Sequence, residues 1–349
     1  MGISDAARWV ERRMRRAGVR RKAKANWVPK VIGFTGYGSS LKARVIGRVL
    51  LEDRAESAPA NSLQRGYRQF LTTPVPEMPV TVTLGARTVE TRANEEGYVE
   101  VLIENHGLEP GWHEALVDVP LGPAPARAPV QIISDDVTHG VICDIDDTIM
   151  VTNLPRAALA AWNSWVLRAK NRRPVAGMSE FLGAIRSPQE PVFYLSTGAW
   201  NTYETLREFM ERNNFPRGPM LLTDWGPTQT ALFRSGVEHK RVQLRNLLID
   251  FPHISWTLVG DNGQHDPMIY SDLVFEHPNR VTMVAVRELT PQEHIFAHGT
   301  ARILEQPGDY RGVLSIFGAN GFELLAQLGP SPRGESSSTQ HETQPYKKR

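Results

Sequence analysis

A short apolar run that ends in carboxylates is the part of this sequence best suited to chemistry. Residues 141–145 are mostly apolar, and Asp144, Asp146 and Thr148 follow where a buried strand should leave its sheet. The strand is expected to end near Asp144, so strand geometry alone does not place the Asp146 side chain. Both carboxylates can serve one site only if the loop turns Asp146 back toward Asp144. Crowded carboxylates need a cation, and their hard oxygen atoms suit Mg²⁺. The spacing predicts a site of metal-assisted chemistry.

Three further stretches place polar groups after an apolar run or at the start of a predicted helix. The run at 193–195 leads into Ser196 and Thr197, Lys240 opens a predicted helix, and the run at 256–259 leads toward Asp261 and Asp266. Thr197 could replace Ser196 if the strand ends one residue later, because adjacent residues face opposite sides. The carboxyl ends of parallel strands form the ligand crevice of an open α/β sheet, so these groups are expected to converge.

Such a set of groups is typical of phosphoryl transfer. One carboxylate can attack phosphorus and form an aspartyl-phosphate, which divides a difficult displacement into two steps. A second carboxylate can protonate the leaving alkoxide and then activate water. Mg²⁺, a lysine and a hydroxyl can neutralise the oxygens of the transferring group.

The elements that must position these residues begin near residue 136, where strands alternate with helices. This alternation predicts a doubly wound parallel α/β sheet with right-handed crossovers. The expected strands are residues 141–145, 192–195, 220–222, 256–259 and 281–286. The expected helices are residues 157–170, 178–186, 202–212 and 239–250.

The preceding stretch is β-rich and is expected to form a small β-sandwich-like domain. Its expected strands are residues 43–51, 80–84, 98–103, 116–119 and 130–133, and the proline-rich run 120–129 is expected to be a connection. The predicted division is a basic amphipathic helix at 1–26, the β-rich domain at 27–135, an α/β domain with the polar strand ends at 136–328 and a disordered tail at 329–349.

Charge and composition restrict the setting. The chain has 349 residues, 41% apolar and 22% charged, with a net charge of +2, but residues 1–30 alone carry +8. A basic helix with a Trp-bearing apolar stripe suits an anionic membrane surface, and docking of that stripe on the protein is the alternative. Nothing indicates a transmembrane segment or a nucleic-acid-binding module. The single cysteine, Cys143, favours a reducing cytoplasmic setting, with peripheral membrane contact left open.

The four motifs together resemble the haloacid-dehalogenase-like phosphatases. The motifs are Asp144-Ile-Asp-Asp-Thr-Ile149, Tyr194-Leu-Ser-Thr-Gly-Ala-Trp200, His239-Lys240 and Leu258-Val-Gly-Asp-Asn-Gly-Gln-His-Asp266. More narrowly, they resemble the actin-patch-associated phosphatidate phosphatase family and its bacterial relatives, over about residues 136–300. This resemblance implies Mg²⁺-dependent hydrolysis of phosphatidate to diacylglycerol and phosphate.

The resemblance also implies roles for individual residues. Asp144 would be the nucleophile and a metal ligand, and Asp146 the general acid/base with its backbone carbonyl on the metal. Thr148 belongs to the first motif, and Ser196 would bind the phosphoryl group. The other residues it implies are Lys240, which would hold the nucleophile and phosphate oxygens, Asp261, which would complete the metal site, and Asp266, which would support the metal ligands or orient Lys240.

Several of these residues also have purely structural interpretations, and the sequence allows other functions. Thr148 can cap the turn after the strand, and Asp147 can be a turn former. Lys240 can be a solvated lysine, and His265 an ordinary polar loop residue. Trp162, Trp165 and Trp200 could shape a lipid entrance, although core packing is the commoner role of such residues. The substrate could instead be a soluble phosphomonoester, or the chain could be a membrane-associated scaffold that keeps a phosphate pocket without turnover.

Overall fold

The computed structural model describes residues 27–53, 73–151, 172–223, 231–263, 265–291, 293 and 309–329, with only the backbone at residue 53 and at 231–235. The predicted N-terminal basic helix, the predicted helix at 157–170 with Trp162 and Trp165, and the tail beyond Gly329 lie outside these residues. None of the described helices is long and apolar enough to cross a membrane.

The first half of the chain forms one sheet of eight strands. They are β1 Trp27–Gly38, β2 Lys42–Asp53, β3 Thr73–Pro74, β4 Pro79–Leu84, β5 Arg87–Arg92, β6 Tyr98–Glu104, β7 Gly111–Asp118 and β8 Ala126–Ile132. The order is β3-β2-β1-β8-β7-β4-β5, with β6 also paired to β2. All of these pairs are antiparallel except β1 with β8.

The fold-class prediction, a doubly wound haloacid-dehalogenase-like sheet behind a small β-sandwich-like domain, is wrong. The chain is a strand-rich, mixed α/β structure in which the eight-stranded sheet curls until β5 contacts β6. Its inward side chains, such as Val45, Val82, Val99 and Val130, form one core. Alternating strands bury one face both in a curled sheet and in two stacked sheets, so the pattern could not distinguish them.

Sequence reasoning missed β1, and it misread part of the connection before β8. Pro29 and three glycines lower the apparent strand propensity of β1. Gly33 is needed there, because a Cβ at this position would lie 2.5 Å from the carbonyl oxygen of Arg127 on the neighbouring strand. The proline-rich run is a connection only in its first part, since β8 begins at Ala126.

The second sheet has six strands, and every pairing in it is parallel. Its order is β11-β10-β9-β12-β13-β14. The strands are β9 His139–Asp144, β10 Val192–Ala199, β11 Met220–Thr223, β12 Ser255–Asp261, β13 Val281–Arg287 and β14 Leu314–Gly318. The helices are α1 Met178–Ala184, α2 Tyr203–Arg212, α3 Ala231–Asp250, α4 Asp266–Glu276 and α5 Gly321–Gln327.

Both faces of this parallel sheet are buried. Along β9, Val141 and Cys143 enter a core shared with α1 and α2, whereas Ile142 enters a core shared with α3 and α4. A strand buried on both faces has a continuous apolar run, which explains the sequence before Asp144. The apolar strands therefore hold the polar residues that follow them in fixed places.

The two sheets contact each other next to the carboxyl end of β10. The Phe34 ring on β1 stacks on Trp200 with ring centroids 4.5 Å apart. The Tyr203 hydroxyl accepts the Thr35 backbone N–H at 3.1 Å. Trp200 is only 6% exposed, so its contacts are those of a core residue rather than of a lipid entrance.

Candidate active site

A buried lysine between two carboxylates lies at the centre of the site. Lys240 Nζ donates to Asp144 Oδ1 at 2.6 Å and to Asp266 Oδ1 at 2.5 Å. All three side chains are at most 4% exposed. Charged groups are rarely buried to this degree unless they are paired, and such clusters are frequent at functional sites.

Strand register explains how distant residues meet here. β9 ends at Asp144, and its neighbour β12 ends at Asp261, with Val259 paired to Cys143. Parallel neighbours bring their carboxyl ends to the same edge, so the two carboxylates emerge side by side. Asp266 is the first residue of α4, which begins just after β12.

The loop after β9 turns Asp146 toward the next strand, as the sequence required. Asp147 has a φ of 59°, and its N–H donates to the carbonyl of Met150 at 2.9 Å. Short polar residues such as Asp tolerate this left-handed conformation. The turn leaves Asp146 Oδ2 accepting a hydrogen bond from Ser196 Oγ at 2.8 Å. Asp147 is thus the turn former.

Thr148 connects two of the carboxylates. Its Oγ1 donates to Asp144 Oδ2 at 3.1 Å and lies 3.4 Å from Asp261 Oδ2. Asp261 Oδ1 also accepts the Gly263 N–H at 2.7 Å. The side chain of Thr148 is fully buried, so it fixes the carboxylates from inside the loop instead of capping the turn at the surface.

Burial dominates the electrostatics of the site. It raises the pKa of Asp144 and of Asp261 well above the usual carboxyl range; Lys240 opposes this rise, and Asp266 adds to it. Burial alone would lower the pKa of Lys240, but Asp144, Asp266 and Asp261 outweigh it and hold that pKa above its usual value. The lysine therefore keeps its charge, and the buried carboxylates of Asp144 and Asp261 resist ionisation unless a further cation compensates them.

The carboxylates fit a divalent cation. Within the described parts of the chain, oxygen atoms of Asp144, Asp261 and Asp266 lie within 4.8 Å of one another. Asp266 Oδ2 is buried and accepts no hydrogen bond in the structure. Buried carboxylate oxygens with spare acceptor capacity are the donor set that Mg²⁺ and Ca²⁺ prefer. The Asp146 side chain lies outside this group, so only its backbone carbonyl remains a candidate ligand.

Ser196 rather than Thr197 faces the site. Ser196 Oγ contacts Asp146 and also accepts the Gly198 N–H at 2.9 Å. The Thr197 methyl lies 3.1 Å from where a Cβ on Gly236 of α3 would be, and its carbonyl accepts from Thr223. His265 precedes α4, where its carbonyl accepts the N–H of Ile269. The hydrogen bond to Asp146 gives Ser196 a place in the site, whereas the contact of His265 is made by its backbone at the start of α4.

Two buried arginines were missed in the sequence. Arg287, the last residue of β13, donates to the carbonyl of Asp147 at 2.6 Å, to the carbonyl of Ala319 and to the carboxylate of Glu293. It therefore ties the Asp146 turn to the end of the sheet. Arg172 lies 3.7 Å from Asp146 Oδ1. A polar residue ending an apolar strand was a usable signal for Arg287, whereas Arg172 had none.

Comparisons with known proteins identify the segment that carries the site. Residues 139–288 match the family described as "Phosphatidate phosphatase APP1, catalytic domain". The chain is 25% identical over 238 residues to phosphatidate phosphatase APP1 of Saccharomyces cerevisiae, which covers 64% of this chain and 40% of that protein. Residues 139–288 belong to the APP1 catalytic-domain family.

Other similarities are weaker. An uncharacterized protein of Schizosaccharomyces pombe is 23% identical over 150 residues, covering 43% of this chain and 25% of that protein. The chain thus spans less than half the length of either curated relative. A carbohydrate acetylesterase from Xanthomonas citri aligns with 72% of this chain and 57% of its own at 9% identity, but the TM-score of 0.25 supports no argument.

The APP1 segment includes all seven residues predicted for the site, from Asp144 to Asp266. It leaves out the eight-stranded sheet and β14. The candidate site therefore lies in the parallel sheet and its loops.

We expect Mg²⁺ to stabilise the APP1 domain, because a cation relieves repulsion among Asp144, Asp261 and Asp266. At one hundred times Kd, binding should raise the free energy of unfolding by about 2.7 kcal/mol. Thermal unfolding with and without Mg²⁺ measures this shift. Asp261→Asn should reduce it, whereas Asp272→Asn, on the exposed face of α4, should retain it. A full shift in the Asp261 variant would contradict this metal site.

Proposed function

We propose that the protein is a Mg²⁺-dependent phosphatidate phosphatase that acts through an aspartyl-phosphate. The observation that carries this proposal is the buried group of Asp144, Asp261 and Asp266 around Lys240, within a segment of the APP1 catalytic-domain family. A simple anion-binding pocket would not need so many carboxylates, because each of them repels a phosphate. The substrate is proposed from the similarity to this family and to the yeast phosphatidate phosphatase.

In the first step, a carboxylate oxygen of Asp144 attacks the phosphorus and the bond to the diacylglycerol oxygen breaks. Asp146 donates its proton to that leaving oxygen, which departs as the alcohol. The hydrogen bond from Ser196 Oγ orients the Asp146 carboxyl, and Lys240 orients the attacking carboxylate. Positioning of this kind supplies much of the rate of phosphoryl transfer.

In the second step, the Asp146 carboxylate takes a proton from water, whose oxygen attacks the phosphorus. The bond between phosphorus and Asp144 breaks, and inorganic phosphate leaves. Lys240 again faces Asp144 as the carboxylate regains its charge. Mg²⁺, when held by Asp144, Asp261 and the Asp146 carbonyl with support from Asp266, would neutralise the phosphoryl oxygens.

We also propose that the protein is cytoplasmic and contacts membranes peripherally, because phosphatidate resides in a bilayer. The basic residues 1–30 would favour anionic lipid. Residues 1–26 lie outside the described residues, so this contact rests on charge and on the substrate. Binding of the full chain to vesicles with and without anionic lipid would test it.

The expected result is phosphate release from phosphatidate in detergent mixed micelles that requires Mg²⁺ and stops with EDTA. Mg²⁺ is needed because the site carries more carboxylates than described cations can balance. A phosphate assay on the full chain, with p-nitrophenyl phosphate in parallel, measures it. Phosphate release from p-nitrophenyl phosphate alone would indicate that the substrate is a soluble phosphomonoester instead of phosphatidate. If the folded protein released phosphate from neither ester, the result would favour a scaffold without turnover.

A further inference from the structure

Arg172 lies beside the proposed acid/base, at the point where the chain returns to the site after residues 152–171. The backbone fixes it there: the Val151 N–H donates to the Arg173 carbonyl at 3.0 Å, and the Val175 N–H donates to the Ile149 carbonyl at 2.9 Å. The returning segment thus pairs with the loop that carries Asp146. The position of Arg172 is set by the same hydrogen bonds that set the loop.

The guanidinium forms a long ion pair with Asp146 and also contacts Met150. Arg172 Nη1 lies 3.7 Å from Asp146 Oδ1, beyond hydrogen-bond distance, and donates to the Met150 sulfur at 3.7 Å; the Arg172 and Asp146 side chains are 4% and 17% exposed. Asp146 Oδ1 is buried and accepts no hydrogen bond in the structure. Bringing two charges out of water is costly unless close hydrogen bonds compensate. A buried carboxylate oxygen without a hydrogen bond indicates that a bound group supplies the missing contact between Arg172 and Asp146.

The two oxygens of Asp146 therefore have different surroundings. Oδ2 is held by Ser196 Oγ at 2.8 Å, and Oδ1 faces Arg172. Lys240 contacts Asp144 and Asp266, on another part of the site. Among the described residues, one buried cation, Lys240, thus lies beside the proposed nucleophile, and another, Arg172, lies beside the proposed acid/base.

We propose that Arg172 is a substrate-binding residue whose guanidinium takes a non-bridging oxygen of the phosphate ester next to Asp146. A guanidinium suits this task because its N–H groups match phosphate oxygens in pairs. A monoester has one more charged oxygen than a diester, so Arg172 would favour monoesters over the diesters that form the bulk of phospholipids. This inference rests on the proposed phosphatase function and names a determinant of its specificity.

The test compares Arg172→Met, Arg172→Lys and the adjacent, exposed Arg173→Met in the full chain. Turnover of p-nitrophenyl phosphate and phosphatidate is measured, together with the inhibition constant of inorganic phosphate. Arg172→Met should raise that constant about 10- to 100-fold and lower kcat/KM at least as much. Arg172→Lys keeps the charge but loses the paired donors, so its inhibition constant and its kcat/KM should lie between those of the wild type and of Arg172→Met. Arg173→Met should match the wild type.

Lower kcat with an unchanged phosphate inhibition constant would overturn the proposal, because Arg172 would then only position Asp146. If Arg172→Met does not fold, Arg172→Lys decides by the same constant, and a wild-type value overturns the proposal. If the wild type hydrolyses neither ester, the phosphatase function fails separately. Calorimetric titration of inorganic phosphate with Mg²⁺ then tests Arg172, and equal binding by wild type and Arg172→Lys would overturn the inference.

Discussion

Replacing Asp144 with asparagine is expected to lower kcat by about four orders of magnitude, on the scale of losing a member of a catalytic unit. An amide has no charged oxygen to attack phosphorus, so no covalent intermediate can form. The melting temperature should not fall, because burial raises the pKa of Asp144 and a neutral isostere avoids the cost of a buried charge. Phosphate release and thermal unfolding of the same preparation measure both effects.

Asp272→Asn is the matched control for this variant. Asp272 lies on α4 in a surface ion pair with Arg241 and is 48% exposed. Surface pairs of this kind contribute little, so both kcat and melting temperature should stay near the wild-type values. If Asp144→Asn retained more than a tenth of the wild-type kcat, Asp144 would not be the nucleophile.

Replacing Lys240 with methionine is expected to lower both activity and stability. Methionine keeps most of the aliphatic stem but removes the charge between Asp144 and Asp266. Loss of one partner from a buried charge pair typically costs about 3–5 kcal/mol, and metal-free protein should show this in chemical denaturation. We expect kcat/KM to fall about 10³-fold, since the attacking carboxylate loses its orientation as well.

Arg241→Met separates this effect from a general loss of charge on α3. Arg241 is the next residue, is one-third exposed, and pairs with Asp272 at the surface. Its replacement should change the free energy of unfolding by less than about 1 kcal/mol. If Lys240→Met and Arg241→Met lowered the free energy of unfolding equally, the buried contacts of Lys240 would contribute no more to stability than a surface ion pair.

The polar residues of the site were predictable because local pattern and sheet geometry act together. An apolar run marks a buried strand, and the residue after it must emerge at the carboxyl edge. This reasoning places Asp144 and Asp261 at that edge, together with a hydroxyl residue from the end of β10. It could not decide between Ser196 and Thr197, because a strand end uncertain by one residue reverses the side-chain direction.

Features that depend on distant contacts were not predictable. The strand end could mark Arg287 but not its contact with Asp147, 140 residues earlier. Arg172 faces Asp146 because residues 173–175 pair with the loop that carries Asp146. The curled sheet was missed for a similar reason, since closure depends on contacts between β5 and β6 that no single strand encodes. Gly33 obscured β1 although it is what allows the close approach to β8.

The stacking of Phe34 on Trp200 has a consequence for any attempt to isolate the matched segment. A protein trimmed to residues 139–288 would lose the Phe34 ring that stacks on Trp200. The Tyr203 hydroxyl would also lose its hydrogen bond with Thr35. Truncation of a buried Phe to Ala alone costs about 3–5 kcal/mol, which is a large share of the 5–15 kcal/mol that holds a typical domain together. The borders of sequence similarity are therefore not the borders of an autonomous folding unit.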